Sequence, residues 1–405
     1  MSARKALIVV ENNSVPIDVR PWYEATSLRD TGWQVAVICP APPVGAGFAN
    51  GRNPVDLEGV SVFYFPLRRA ERGVISYAAE YLAAFFAIAR LTYTVWRQGR
   101  FDILHFCNPP DIFFPIAAFF HLRGARIVFD HHDLFPELVT GRHYGIGGKL
   151  LYALARATEY LTLRSADVVI STNQSYRRIA VERGRIPVER TVVVRNGPKQ
   201  EIFVPVKPDP ALRRGFRFMA CYAGVMGHED GVLELLASVR SVVHDLGRSD
   251  ILFVLLGSGS VYAEAVARVS EWQLAKFVEM PGMIYDNLLL RRYLCTADVL
   301  LAPEPLTPLN AYSTFVKVGE YMAMGKPIVA YGLNETRYTA EEAAVYVEPG
   351  DTAGFARAIV SLLEDPDRRQ RMGELGRQRF ESHLAWEHQH RQLLRAYAIA
   401  LEGRS

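Results

Sequence analysis

Residues 297–332, ADVLLAPEPLTPLNAYSTFVKVGEYMAMGKPIVAYG, carry the reading that decides the fold. ADVLLAPEP is a short apolar run closed by prolines, the text of a buried strand running into a loop. Ser313 and Thr314 precede an apolar-periodic segment, a spacing that predicts a helix with one of them as its N-cap. The amides of Thr314, Phe315 and Val316 would then point unpaired from the helix start, where a phosphate or diphosphate binds well. Gly325 suits a left-handed C-cap, Pro327 bars continuation, and PIVAYG supplies the next strand. Strand, loop, helix and strand in this order make one unit of a parallel sheet. Glu320 lies within the helix, close enough to its start to accept hydrogen bonds from ribose hydroxyls. A solvated surface glutamate is the plain alternative.

The same alternation extends outward in both directions. The first half reads KALIVVE, the helix RPWYEATSLRDTG, QVAVICP, FDILHF, the helix DIFFPIAAFFHLRG, RIVFDHHD, a helix over about 147–163, ADVVIST and TVVVRNG. Apolar strands without clean alternation, separated by helices, predict an α/β chain with a parallel sheet covered on both faces. GPKQEIFVPVKPDPALRRG, residues 197–215, is rich in Pro and Lys, lacks periodicity and suits a linker. A second α/β set follows with FRFMACYAG, GVLELLASVRSVVHDLG, DILFVLLGSG, KFVEMPG and the stretch quoted first, then AAVYVEP and a helical tail. The expectation is two facing Rossmann-like doubly wound domains, 1–205 and 206–380, with a helix over 381–405 packing back on the first. Ligands of such sheets sit at the carboxyl ends of the strands, so functional residues should lie just after strands.

Composition excludes several classes. Lys and Arg number 46 against 43 acids, for a net charge of +3, which gives no sign of nucleic-acid binding. Cys39, Cys107, Cys221 and Cys295 are scattered through apolar text with no metal-ligand spacing, and read as buried thiols of a cytosolic protein. The opening MSARKALIVVENNS has too short an apolar run for a signal peptide. YAAEYLAAFFAIARLTYTVW, residues 77–96, is interrupted by Glu80 and Arg90 and is not a membrane span. It reads as a buried helix, or as one that docks on a membrane with Arg68, Arg69, Arg72, Arg97 and Arg100 near anionic lipid.

Chemistry gathers after the strands. VFDHHDLFPE sets Asp130, His131, His132, Asp133 and Glu137 together. Buried adjacent histidines are costly unless hydrogen-bonded, so one of them has a structural role open to it. The loop ENNSVPIDVR offers Asn12, Asn13, Asp18 and Arg20 to an acceptor sugar or phosphate, or is simply solvated. Gly224 and Gly227 allow backbone to approach a ligand, or are plain turn residues, and Gly257 in GSGS is placed to touch a nucleobase.

STFVKVGEYMAMGKPIVAYG, with CYAGVMGHEDGVLELLASV before it and TAEEAAVYVEPGD after it, resembles the nucleotide-sugar half of a GT-B glycosyltransferase, most of all family 4. ENNSVPIDVRPWYEATSLRDTGWQVAVICP, FDHHDLFPEL and ISTNQSYRRIA resemble the acceptor domain of family 4 enzymes that build bacterial surface polysaccharides. The resemblance implies that Glu320 is the ribose-binding member of the family's glutamate pair. The first member falls on Tyr312, a departure for which Glu304 is a wrongly spaced substitute. The Arg and Lys that follow the glycine loop in many relatives are missing from GVMGHEDGV, and Lys317 is the candidate to meet the leaving diphosphate. His132 resembles the histidine that contacts the donor sugar, with Asp133 placed to orient it.

The implied function is retaining, metal-independent transfer of a sugar from a nucleotide donor such as a UDP- or GDP-sugar to a glycan or lipid-linked saccharide. The implied location is the cytoplasm, with peripheral contact at the inner membrane leaflet. No cofactor is expected. A dinucleotide-dependent oxidoreductase would need a GxGxxG after the first strand, and IVVENNSV has none. A non-catalytic nucleotide-sugar-binding homologue is the other alternative, raised by Tyr312 and the missing cations.

Overall fold

The computed structural model describes residues 3–42, 53–67, 69, 74–142 and 146–402; Arg68 and Arg72 lie outside them. The chain divides into two compact units, 1–195 with 389–405, and 196–388. The division falls ahead of the expected 205/206 boundary, and the part of the last helix from Gln389 onward belongs to the first unit.

The strands of the first unit are β1 Lys5–Val9, β2 Gln34–Pro40, β3 Val55–Leu57, β4 Val60–Phe65, β5 Ile103–Cys107, β6 Arg126–His131, β7 Val168–Ser171 and β8 Thr191–Val193. They form one sheet in the order β3-β4-β2-β1-β5-β6-β7-β8. All pairs are parallel except β3 with β4, a short antiparallel ribbon at the edge that the sequence reading did not include. Successive strands lead outward on one side of β1 and on the other side from β5, so the topological switch lies between β1 and β5. The helices are α1 Val19–Asp30, α2 Val74–Gln98, α3 Phe114–His121, α4 Phe135–Arg142, α5 Ile146–Ser165 and α6 Gln174–Gly184. Asn173 starts α6 by accepting the Tyr176 amide at 2.7 Å.

The second unit holds β9 Phe218–Ala223, β10 Ile251–Leu256, β11 Val278–Gly282, β12 Val299–Ala302, β13 Ile328–Tyr331 and β14 Ala344–Val347. These are all parallel, in the order β11-β10-β9-β12-β13-β14, with the switch between β9 and β12. The helices are α7 Val232–Arg240, α8 Tyr262–Glu271, α9 Asn287–Thr296, α10 Val316–Ala323, α11 Asn334–Ala340, α12 Thr352–Glu364 and α13 Pro366–Arg379; the last helix, α14 Trp386–Glu402, starts in this unit and belongs to the first from Gln389 onward. Apolar clusters cover both faces of this sheet. Phe253, Leu255 and Phe355 belong to one, and Val254, Leu300 and Tyr321 to the other. This explains why β10 and β12 are apolar at every position.

Tyr397 of α14 donates or accepts at His105 Nδ1, 2.9 Å away, and packs edge-on against Trp33. All four cysteines are buried and unlinked. The segment containing 77–96 is helix α2, but it is not buried all round: Leu82, Phe86 and Tyr93 are exposed. Among the described residues no helix is long and apolar enough to cross a membrane.

Candidate active site

In the second unit three carboxyl-end segments converge at the switch point. Tyr222 comes from the end of β9, Glu304 from the Pro-rich loop after β12, and Lys317 from the first turn of α10. Lys317 Nζ lies 2.6 Å from Glu304 Oε1, 3.1 Å from the Tyr222 hydroxyl and 3.6 Å from Asp230. Burial alone would push this ammonium toward neutrality, but the adjacent Glu304 carboxylate outweighs it and raises the pKa, so Lys317 stays charged. The ammonium donates to the Tyr222 hydroxyl and is ion-paired with the Glu304 and Asp230 carboxylates.

The helix start differs from its expected form. Ser313 does not cap α10: its hydroxyl donates back to Leu309 O at 2.9 Å and its amide to Asn310 O, so it closes the preceding turn. Thr314 is no cap either. The N-cap is Phe315, without a side-chain bond, and Val316 is the first helical residue. The amides that open the helix are therefore those of Val316 and Lys317, displaced toward Lys317 from the expected Thr314–Val316, since Val318 already donates to Phe315 O. Gly325 does close the helix in the left-handed region, at φ 65°.

Glu320 stands one turn beyond Val316 and is partly buried. Its carboxylate meets no hydrogen-bond donor among the described residues. Burial raises its pKa to about 7, with the Lys317 charge opposing.

The glycines have steric reasons. A Cβ on Gly224 would press on the Lys317 ammonium and the Tyr222 hydroxyl. Gly257, at φ 135°, would overlap the Gly224 carbonyl. Gly227 lies against Asp230, whose carboxylate accepts the Gly227 amide at 2.9 Å. The 224–227 and 257–259 loops thus interlock, which accounts for these glycines before any ligand is considered.

In the first unit Asp130, at the end of β6, is the central group. Arg20 grips it with two hydrogen bonds, 2.6 and 2.7 Å, and spends a third on Val194 O. Asp130 also holds His132 Nδ1 at 3.0 Å. Although burial disfavours its charge, these partners keep Asp130 far below the usual carboxylate range. Burial likewise works against a charged His132, but Asp130 overcomes it and lifts the imidazole to about 9. Two expectations change here. Arg20 is buried and committed to Asp130 and Glu24, so it is not an acceptor-contacting residue. The group that orients His132 is Asp130, not Asp133, whose amide instead donates to Asn108 Oδ1.

His131 is fully buried, with Nε2 3.7 Å from Glu159. Asn12, Asn13 and Asp18 stay partly accessible after β1. Sequence reasoning missed Asn108, which clamps the His132 and Asp133 amides; its place just after β5, beside the switch point, is the signal that marks it. Glu24, His105, Cys107 and Asp130 are the only described residues that converge closely enough for a metal ion. The Arg20 guanidinium on Asp130 already supplies the positive charge there.

Two doubly wound units with candidate side chains at their switch points define the GT-B class of fold. Solved structures agree: sucrose-phosphate synthase from Thermosynechococcus elongatus superposes with a TM-score of 0.77 at 18% identity, over 99% of this chain and 100% of that one. Anabaena HepE in complex with UDP-glucose gives 0.70 at 14%, over 97% and 99%. Residues 19–197 match the family model described as "Glycosyl transferase 4-like domain" and residues 217–365 that of "Glycosyl transferases group 1". The chain belongs to the GT-B glycosyltransferases, of the family 4 type. Alpha-maltose-1-phosphate synthase of Mycolicibacterium smegmatis is 25% identical over 68% of this chain and 73% of its own. Chitobiosyldiphosphodolichol beta-mannosyltransferase of Candida glabrata is 20% identical over 95% and 90%.

Proposed function

We propose that this glycosyltransferase takes a UDP- or GDP-sugar, transfers the sugar to a hydroxyl of a saccharide acceptor in cell-surface polysaccharide synthesis, and retains the anomeric configuration without a metal. One observation carries the donor half: the Glu320 carboxyl, its pKa raised to about 7 by burial, lies one turn from the opening amides of α10 and from a charged Lys317. The ribose hydroxyls donate to Glu320, and the diphosphate takes the Val316 and Lys317 amides with the charge of the Lys317 ammonium beside them. Preorganised donors of this kind stabilise the leaving group where its charge develops. The UDP-glucose named for the Anabaena neighbour supports a nucleoside diphosphate donor.

Retention is taken from the family resemblance, and the carboxylates bear on its route. Glu304 and Asp230, the acids beside Lys317, are held to it, so neither is a free nucleophile. Within a retaining reaction this leaves front-face attack, with the leaving phosphate accepting the proton of the acceptor hydroxyl. His132, held by Asp130, is the first unit's contact to the sugar, and Asn12, Asn13 and Asp18 meet the acceptor. The names of the relatives include both an alpha and a beta product, so the anomeric outcome needs its own measurement.

The test is incubation of the full chain with UDP- and GDP-sugars and saccharide acceptors, with and without EDTA. Nucleoside diphosphate release coupled to a new glycoside of unchanged anomeric configuration, undiminished by EDTA, is expected. An inverted product removes the front-face step, and EDTA-abolished turnover removes metal independence. Binding without release would favour the non-catalytic homologue, for which the tight Lys317–Glu304 pair is the specific observation.

A further inference from the structure

Behind Arg20 a line of buried polar side chains runs away from His132 into the first unit. Arg20 and Glu24 come from α1, His105 from β5 and Tyr397 from α14, and none is more than 8% exposed. Glu24 stands one helical turn after Arg20, with Oε1 3.4 Å from Arg20 Nη2. Its other oxygen, Oε2, faces His105 Nε2 at 3.8 Å. The second ring nitrogen of His105, Nδ1, lies 2.9 Å from the Tyr397 hydroxyl, and the Tyr397 ring packs edge-on against Trp33.

The bonding along this line is incomplete. Neither Glu24 oxygen makes a hydrogen bond, and neither does His105 Nε2. A buried acid in that condition costs desolvation and returns little stability, and an apolar side chain of similar volume often serves the fold as well or better. What Glu24 has instead is a direction. Arg20 Nη2, the nitrogen that Glu24 faces, also donates to Asp130 Oδ1 at 2.7 Å. Asp130 Oδ2, which accepts from Arg20 Nε at 2.6 Å, is the same atom that holds His132 Nδ1 at 3.0 Å. A tilt of the guanidinium therefore moves the oxygen that fixes the imidazole. Glu24 also competes with Asp130 for Arg20, which leaves more of the Asp130 charge to His132. Burial raises the Glu24 pKa, and its neutral form still keeps an acceptor oxygen for Nη2.

We propose that Glu24 is a positioning residue for His132, acting through Arg20 and Asp130, and that His105 and Tyr397 back it, which couples the last helix to the sugar-transfer step. This rests on the glycosyl-transfer reading and extends it to residues that touch no substrate.

The experiment compares Glu24→Leu, Glu24→Gln, Tyr397→Phe and Trp33→Phe in the full chain, by transfer kinetics, thermal melting and nitrogen NMR of labelled histidine rings at a single pH near neutrality. Glu24→Leu removes both oxygens with little change of volume. It should lower kcat by about tenfold, leave the donor KM within about twofold, and melt no lower than the parent. The His132 ring nitrogens should shift toward the neutral form. Asp130, Asp133, Asp18, Arg20, Glu24 and His105 are the groups that act on the His132 charge, and this variant alters Glu24 alone. Glu24→Gln, which keeps an oxygen for Arg20 Nη2, should recover most of kcat and of the His132 signal. Tyr397→Phe keeps the ring on Trp33 and removes only the hydroxyl, and should lower kcat about threefold. Trp33→Phe alters the packing of α14 without touching the polar line, and should not. Unaltered kcat and unaltered His132 nitrogens in Glu24→Leu overturn the proposal. So does a kcat loss that comes with a lowered melting point, which would leave Glu24 a packing residue only. If the unaltered protein transfers no sugar while the His132 nitrogens still respond to Glu24→Leu, the glycosyl-transfer reading falls and the hold of this line on His132 stands.

Discussion

Glu320 carries a testable sign. With its pKa raised to about 7 by burial, the free protein holds it largely protonated on the acid side of neutrality. Ribose hydroxyls donate best to the ionised form, so UDP-glucose affinity should rise with pH through about 7 and level above it. The donor's diphosphate is fully ionised throughout, so it adds no slope. Glu320→Gln should flatten the profile and lower affinity at pH 8 by roughly ten- to a hundredfold, the scale of a charged hydrogen bond. An unchanged profile in that variant would remove the ribose role. The stability of the free protein runs the other way: the Glu320 contribution is full below about pH 4.5 and is lost as pH rises through about 7. Lys317→Ala should reduce kcat by about a hundredfold or more with a smaller change in donor affinity. Equal losses in both would assign Lys317 to ground-state binding. At Asp130 the consequence is structural as well as catalytic. Asp130→Asn removes the bidentate partner of the buried Arg20 guanidinium and leaves it only the Glu24 carboxyl, a loss of about 3 kcal/mol, and lets the His132 pKa fall from about 9. Chemical denaturation and an NMR titration of His132 check the two effects separately, and a variant as stable as the parent would show that Arg20 does not depend on Asp130.

At the scale of elements, the site is made by loops that fit one another rather than by any single motif. Gly257 sits at φ 135° with the Gly224 carbonyl where a Cβ would be. Gly257→Ala should cost on the order of 2 kcal/mol or more, seen as a lowered thermal midpoint of the second unit. It should also disturb Lys317, which rests on Gly224. A fully stable Gly257→Ala with normal donor binding would show that the two loops can separate without harm. The elements themselves were mostly readable. FDILHF and ADVVIST became β5 and β7 because uninterrupted apolar text has few other fates in a sheet covered on both faces. The β3–β4 ribbon was passed over because Asp56 and Glu58 break its apolar pattern and its pairing is at an edge. The start of α10 was misplaced because Ser313 has two local uses, and the turn from Leu309 claimed its hydroxyl.

For the whole molecule, the division into two units predicts separable stabilities. UDP should raise the thermal midpoint of one calorimetric transition, that of unit 196–388, by mass action. Removing residues 389–405 takes away Tyr397, and with it the partner of His105 in the first unit. That truncation should lower the other transition and leave UDP affinity unchanged. Loss of UDP binding on truncation would contradict the independence of the second unit.

What the sequence determined by itself was the succession of strands and helices and the doubly wound class. Each rests on periodicity, capping residues or spacing, which act over a few residues. Tertiary structure alone decided the partners. That Glu304 binds Lys317, that Asp130 rather than Asp133 holds His132, that Arg20 is spent inside the fold, and that Tyr397 meets His105 all join residues distant in the chain. The physical reason is that a charge's partner is chosen by distance and burial after the sheet has formed, and one-dimensional spacing holds neither.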